Sequence, residues 1–542
     1  MGIPFYFSYL IKNHRALLKK YSRQKMAVDN FFIDANPLIY NSIKRNQQNE
    51  HHQIVDSVIN QITELMATFS PQKKTFIAFD GVAPVSKLEQ QRGRRYKRRF
   101  EVAEEPTATS VATTPTFSTI EITPGTPFMK YLNQELTRAF ENEPNIIYTG
   151  PNECGEGEHK IFHYIRTNAT EIGGDTNVIY GLDADLIMLC LNHLSVSDRL
   201  YLFRETPHFI QSIDDTLEPN ETYVLDIAGL SRTIQEKTEL SPTDYILTCF
   251  LLGNDFLPHF PALNIRTGGA TKLLDTFREF AAIANRASSA FRNPSLVRET
   301  SQGVRINWTV LQGFIAELAK KEQKYILDEI RLRDRKQRNY YPSSTREELQ
   351  KKINDLPSYE RDLEKSIQPE RKGWQDRYYM SLFGLKKPPT ERFIQDVCRN
   401  YLEGLEWTLK YYTGSCPDWR WRYRYTYPPL LEDLVFAIPT DDAVEYIHPE
   451  RAVTNRPINE LTQLCYVLPT ENMELVPAHI RGAVMGAHPE WYIGAPGSTS
   501  TGEDEVDFIW AFCKYFFEAH PILPEIDVNE LERIVDNANE LA

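Results

Sequence analysis

Seven carboxylates fall in five short segments of the first half of this chain. They are Asp34 in NFFIDAN, Asp80 in TFIAFDG, Glu156 and Glu158 in GEGEH, Asp183 and Asp185 in GLDADLIM, and Asp255 in FLLGNDFLP. Four of the five segments follow an apolar run of the kind buried as a strand or helix. A buried carboxylate without a partner costs several kcal/mol or takes up a proton. A core that gathers this many acids therefore calls for cations, and the chemistry the residues could do is that of a divalent-metal site.

The elements that must position these acids are legible in the same segments. FFI before Asp34, KTFIAF before Asp80 and NVIYGL before Asp183 are short β-rich runs, and stretches of helical period such as 52–68 lie between them. Strand, helix, strand repeated in this way predicts an α/β fold with a mostly parallel, twisted sheet flanked by helices. In such sheets ligands sit at the carboxyl ends of the strands, which is where these acids stand. The commonplace alternative, Asp as helix cap or turn residue, suits any one of them but not five segments together.

Composition narrows the class. At 542 residues, two or three domains are expected. The 41% hydrophobic and 25% charged fractions are those of a globular protein, and no uninterrupted run of 18 apolar residues suggests a membrane span. MGIPFYFSYLIKNHR lacks the features of a secretory signal, and Tyr6 stands where a myristoylation signal has Ser or Thr. Seven cysteines, scattered singly, indicate neither a zinc site nor a disulfide framework. The reading is an intracellular protein, cytoplasmic rather than nuclear.

A net charge of −13 argues against nucleic acid only if charge is uniform. It is not. Residues 87–99, KLEQQRGRRYKRR, hold seven basic side chains in thirteen positions, seven residues past Asp80. An isolated run like this is commonly a solvated loop or an import-type patch. Beside a carboxylate cluster it suggests a phosphate pocket, since metals and cations together bind phosphate. Residues 419–427, WRWRYRYTY, alternate aromatic and basic side chains. In an extended strand the rings share one face, which is either core or a platform for single-stranded bases.

Taken together, MGIPFYF, DGVAPVSKLEQQRGRRY, ITPGTPFM, GEGEHKI, YGLDADLIML, FLLGNDFLPHFP, YYMSLFG, EWTLKYYTG and WRWRYRYTYPPLLEDL resemble the XRN family of 5′→3′ exoribonucleases, over residues 1–265 and about 373–435. The resemblance implies a PIN/FEN-like nuclease core with an additional helical and mixed region. It implies that Asp34, Asp80, Glu156, Glu158, Asp183, Asp185 and Asp255 hold two Mg²⁺ ions, with Mn²⁺ as a substitute, for phosphodiester hydrolysis. Lys87, Gln91, Arg94 and Arg95 match the family's 5′-monophosphate pocket, and Trp419 or Trp421 its base-stacking aromatic. The implied partner is single-stranded RNA with a 5′-monophosphate, degraded processively by a monomer with no membrane association. Decapping or RNA-processing factors are compatible with this, but no residue identifies one.

The chain departs from the family in two places. Asn36-Pro37-Leu38-Ile39-Tyr40 replaces a run ending in His, so Tyr40 offers a stacking face without an imidazole, or packs in the core beside Leu38 and Ile39. Phe5 replaces a usual basic residue. A compact form lacking the long C-terminal β-domain extension is expected. Its regions are a nuclease core at 1–265, a charged helical connector at 266–372, a second family-like region at 373–435 and a C-terminal region at 436–542 packing on the catalytic body. Residues 102–118 and 495–505 have loop compositions, and RLRDRKQR at 331–338 suits an exposed helix. Two other functions remain open: a structure-specific flap-type DNA nuclease, whose glycine-rich hairpin is only partly echoed in PALNIRTGGATKLL, and a catalytically silent RNA 5′-end binder.

Overall fold

β-Branched and aromatic runs too short for helices form the strands. The computed structural model describes residues 6–45, 50–103, 117–204, 217–218, 221–287, 294–301, 303–448, 455–492 and 506–541. Strands β1 (Leu18–Lys20), β2 (Asn30–Asp34), β3 (Lys74–Ala78), β4 (Ile146–Thr149), β5 (Asn177–Tyr180), β6 (Leu200–Phe203) and β7 (Tyr223–Asp226) make one seven-stranded sheet in the order β1-β7-β6-β5-β2-β3-β4. The five strands from β4 to β6 run parallel, and β7 and β1 pair antiparallel at the far edge. The fold is α/β with a mostly parallel sheet.

Every residue of β2 is buried, as a central parallel strand covered on both faces requires. Phe31, Ile33, Ile77 and Val178 point into one layer, closed by α1 (Asn36–Arg45), α2 (His51–Phe69) and, after α3 (Val85–Ala103), by α4 (Pro127–Phe140). Phe32, Phe76, Ile179 and Leu202 point into the opposite layer, closed by α5 (Gly157–Thr167), α6 (Asp185–Asn192) and α7 (Pro242–Phe250). Burying each such side chain contributes about 1.5–3 kcal/mol. Start signals place the helices: Thr126 and Ser241 accept from the third-residue amides of α4 and α7, with proline at the first helical position of each.

Beyond the sheet, α8 (Gly269–Ala287), the hairpin β8–β9 (Val297–Thr300 and Gly303–Ile306) and α9 (Trp308–Gln337) lead to α10 (Glu391–Thr413). A third apolar cluster joins Val82, Val85 and Leu88 around the start of α3 to α11 (Glu460–Val467) and α12 (Val528–Glu540). Helix α3 is therefore gripped from behind by the C-terminal region.

Several sequence expectations change. The basic run 87–99 is neither loop nor free patch but the body of α3. The WRWRYRYTY segment forms no ladder. Side chains take its backbone amides instead: Asn455 Oδ1 accepts from Trp419 N, Asp418 Oδ1 from Arg420 N and Asn400 Oδ1 from Arg424 N. Within 331–338, Arg333 is buried on Glu364 rather than solvated. Most of 102–118 and of 495–505 lies outside the described residues. No described helix is long and apolar enough to cross a membrane.

Candidate active site

β2 ends on Asp34, and Asp80 follows β3 by two residues. Glu156 and Glu158 open α5 after β4, Asp183 and Asp185 open α6 after β5, and Asp255 follows α7. Parallel strands deliver these ends to one edge of the sheet. All seven acids meet there. Asp34 feels Asp80, Asp183 and Glu156; Glu158 feels Glu156 and Asp185; Asp185 feels Asp255. Gly157 makes the approach possible, since a Cβ there would come within 3.0 Å of Asp34 Oδ1, and its N–H donates to Asp80 Oδ1 at 2.7 Å. Gly253, at φ +84°, turns the chain ahead of Asp255 in a conformation that glycine adopts without penalty.

Among the described residues the cluster is short of positive charge. Burial first, then the neighbouring carboxylates, hold Asp34 and Glu158 well above the usual carboxylate range and push Asp185 up to about 7. Asp185 Oδ1 is buried with no hydrogen-bond partner among the described residues. Among the described residues Lys87 is the main counter-charge, with Nζ 2.5 Å from Glu156 and 2.8 Å from Asp255. Although burial opposes it, Lys87 holds Asp255 well below the carboxylate range. Ligand atoms of Glu156, Glu158 and His159 lie within 4.8 Å of one another, a grouping that could hold a metal ion. Carboxylate oxygens dominate the donors, the ligand type that holds divalent cations.

The remaining sequence candidates separate. Lys87, Gln91, Arg94 and Arg95 recur at helical spacing on one stripe of α3. Lys87 points into the acids; Arg94 Nη2 is 3.9 Å from Asp255; Arg95 Nη2 donates to Thr123 Oγ1 at 2.6 Å. Tyr40 is 44% exposed while Leu38 and Ile39 beside it are fully buried. Its ring thus leaves the core, and its hydroxyl lies in the field of Arg95 and Asp80. Trp421 is buried and stacks on Trp407 at 5.2 Å, so it is a core residue. Trp419 is half-buried, and its carbonyl accepts from Val85 N at the start of α3. Arg420 and Arg422 are not free for a ligand: Arg420 pairs with Glu532, and Arg422 with Glu89 and Glu525.

Four contacts had escaped the sequence reading. Asn36, inside the departing Asn36–Tyr40 run, donates from Nδ2 to Asp80 Oδ2 and accepts from Asp80 N at 3.2 Å. Tyr411 Oη donates to Glu156 Oε1 at 2.9 Å, Tyr412 bonds Asp185, and the Tyr411 ring stacks on His159 at 3.6 Å. The only signal for the tyrosines was their place in EWTLKYYTG.

Comparison with known proteins gives two family matches. Residues 1–206 match the model of the XRN 5′-3′ exonuclease N-terminus, and residues 237–356 and 338–486 match that of the Xrn1 helical domain. The chain belongs to the XRN family. The first XRN match contains six of the seven acids and the α3 stripe; the second contains Asp255 and 419–427. The chain is 25% identical to 5′-3′ exoribonuclease 1 of Saccharomyces cerevisiae (89% of this chain, 40% of that protein) and 27% identical to 5′-3′ exoribonuclease 1 of Homo sapiens (88% and 31%). It is 24% identical to the 5′-3′ exoribonuclease 2 homolog of Drosophila melanogaster (88% and 65%), so it spans from about a third to two thirds of these relatives. The solved catalytic core of Rad2 in complex with DNA substrate matches at 17% identity over 50% of this chain and 68% of that one, with a TM-score of 0.30. That score is too low to carry an argument.

Proposed function

We propose that the protein is a 5′→3′ exoribonuclease that hydrolyses 5′-monophosphorylated single-stranded RNA processively to nucleoside 5′-monophosphates, using two Mg²⁺ ions. One observation supports this above the rest: in an XRN-family chain, a buried acid cluster short of positive charge lies directly beside a helix stripe of Lys87, Gln91, Arg94 and Arg95. The seven acids would hold the ions, which when bound would stabilise the charge developing on the scissile phosphate and activate a water. Asn36 and the Gly157 amide fix Asp80, and Tyr411 fixes Glu156. Arg94, Arg95 and Gln91 receive the terminal phosphate, and Lys87 keeps its proton between Glu156 and Asp255. Tyr40, turned outward, offers a face for the first base.

The test is product and direction. RNA labelled at its 5′ end should yield labelled mononucleotide from the first cycle, whereas label at the 3′ end should stay on long fragments. Preferential cutting of a DNA flap would favour the second nuclease class, and binding without hydrolysis would indicate an end binder.

Two further outcomes are expected. Millimolar Mg²⁺ or Mn²⁺ should raise the melting temperature over that in EDTA, since a ligand at 100 times its Kd adds about 2.7 kcal/mol; an unchanged melting curve would show that the acids hold no ion. Tyr40→Ala should leave the melting temperature within a degree or two, because the ring is not core, yet yield partly shortened RNA. Loss of one stacked base contact is worth roughly 1–3 kcal/mol. Tyr40→His should keep most activity. A large stability loss in Tyr40→Ala, with full degradation by the folded fraction, would refute the stacking role.

A further inference from the structure

A second space opens on the flank of α3. It is a cleft of about 830 Å³, within the 300–1,000 Å³ range of small-molecule sites, and Gln90, Gly93 and Lys97 of α3 line it. These positions are one helical step, about 100°, from the Lys87–Gln91–Arg94 stripe. Arg94 and Asp255 line it too, so the cleft adjoins the acidic site directly.

Its chemistry is uneven in an informative way. Near Asp255, the donors Arg94 Nε and Nη2 and Asn254 Nδ2 are buried without a hydrogen-bond partner among the described residues. Buried donors in that state favour an acceptor-rich guest, an anion above all. The lining also carries rings: Tyr425 and Phe393 meet edge to face at 5.9 Å. Phosphate-seeking donors and aromatic faces in one lining suit a nucleoside monophosphate.

We propose that this cleft receives the nucleoside 5′-monophosphate freed at each cycle and leads it away past Arg94. The inference rests on the exoribonuclease reading. A strand that enters 5′ end first occupies the side it came from, so a product leaving that way must wait for the strand to retreat. A lateral exit beside α3 removes that wait. Neither Gln90 nor Tyr425 has a part in the hydrolysis described above, which makes them suitable probes.

Gln90→Trp, which narrows the cleft beside Arg94, and Tyr425→Ala, which removes a ring, should each lower steady-state mononucleotide release about tenfold, while the first cleavage with enzyme in excess keeps the wild-type rate. Arg424→Glu, which places negative charge at the mouth, serves if either variant loses its melting transition. Proportional losses in first and later turnovers, or no loss in any folded variant, would overturn the proposal. Independently of RNA degradation, 8-azido-AMP should photolabel peptides from 421–426 or 517–525 in the wild-type chain. Label there without RNA hydrolysis would sink the exoribonuclease reading and leave the nucleotide site standing; hydrolysis without label there would sink the cleft alone.

Discussion

Asp183→Ala and Asp185→Ala are expected to lower mononucleotide release about 10²–10³-fold or more, the scale seen when one preorganised charge-stabilising group is removed from an active site. Neither variant should unfold. Asp185 is buried among like charges, and its carboxyl is pushed up to about 7 by burial and by Asp255. A carboxyl whose folded pKa lies above its unfolded value of about 4 makes the folded state hold the extra proton, so its contribution to stability falls as pH rises from about 4 to about 7. In EDTA, the wild-type melting temperature should therefore decline across that window. Asp185→Asn should decline less steeply and melt higher at pH 7. A variant that melts lower at pH 7 than wild type in EDTA would show Asp185 to be a structural anchor rather than a charge awaiting a cation.

Arg94→Ala and Arg95→Ala are expected to weaken use of 5′-monophosphorylated RNA roughly 10- to 150-fold while sparing 5′-hydroxyl RNA. A hydrogen bond to a charged group is worth about 1.5–3 kcal/mol, and this one exists only when the terminal phosphate does. Burial pulls Arg95 down to about 10, which still leaves it cationic near neutral pH. Its bond to Thr123 means that Arg95→Ala also removes a structural contact, so Arg95→Lys is the control that keeps charge without the fork. Equal losses on both RNAs would assign these arginines to the fold or to general backbone attraction.

What could be read from the sequence was what local pattern encodes. Runs such as NFFID and KTFIAFD announce buried parallel strands with an acid at the carboxyl end, and topology then brings the acids together without further specification. The basic run 87–99 was legible as a charged feature but not as a helix, because its mean character is polar and the apolar contacts that fix it, at Val85 and Leu88, are made with residues more than 350 positions away. Sequence separation also hid the ion pair of Lys87 with Asp255, 168 positions away, and the hydrogen bond of Tyr411 to Glu156, 255 positions away. Alternation in WRWRYRYTY imitates a strand, but Asn400, Asp418 and Asn455 capture its amides and no neighbouring strand is needed. Tyr40 was ambiguous for a plain reason: helix α1 turns Leu38 and Ile39 inward and the next residue outward, and one residue decides which.

The most direct measurement is the degradation of one RNA bearing a 5′-monophosphate, a 5′-triphosphate or a 5′-hydroxyl, each with Mg²⁺ and with EDTA. Rapid release of mononucleotides from the 5′-monophosphate RNA alone, abolished by EDTA, is expected if the acid cluster takes up cations and Gln91, Arg94 and Arg95 receive the terminal phosphate. Equal rates on all three ends, or undiminished hydrolysis in EDTA, would contradict it.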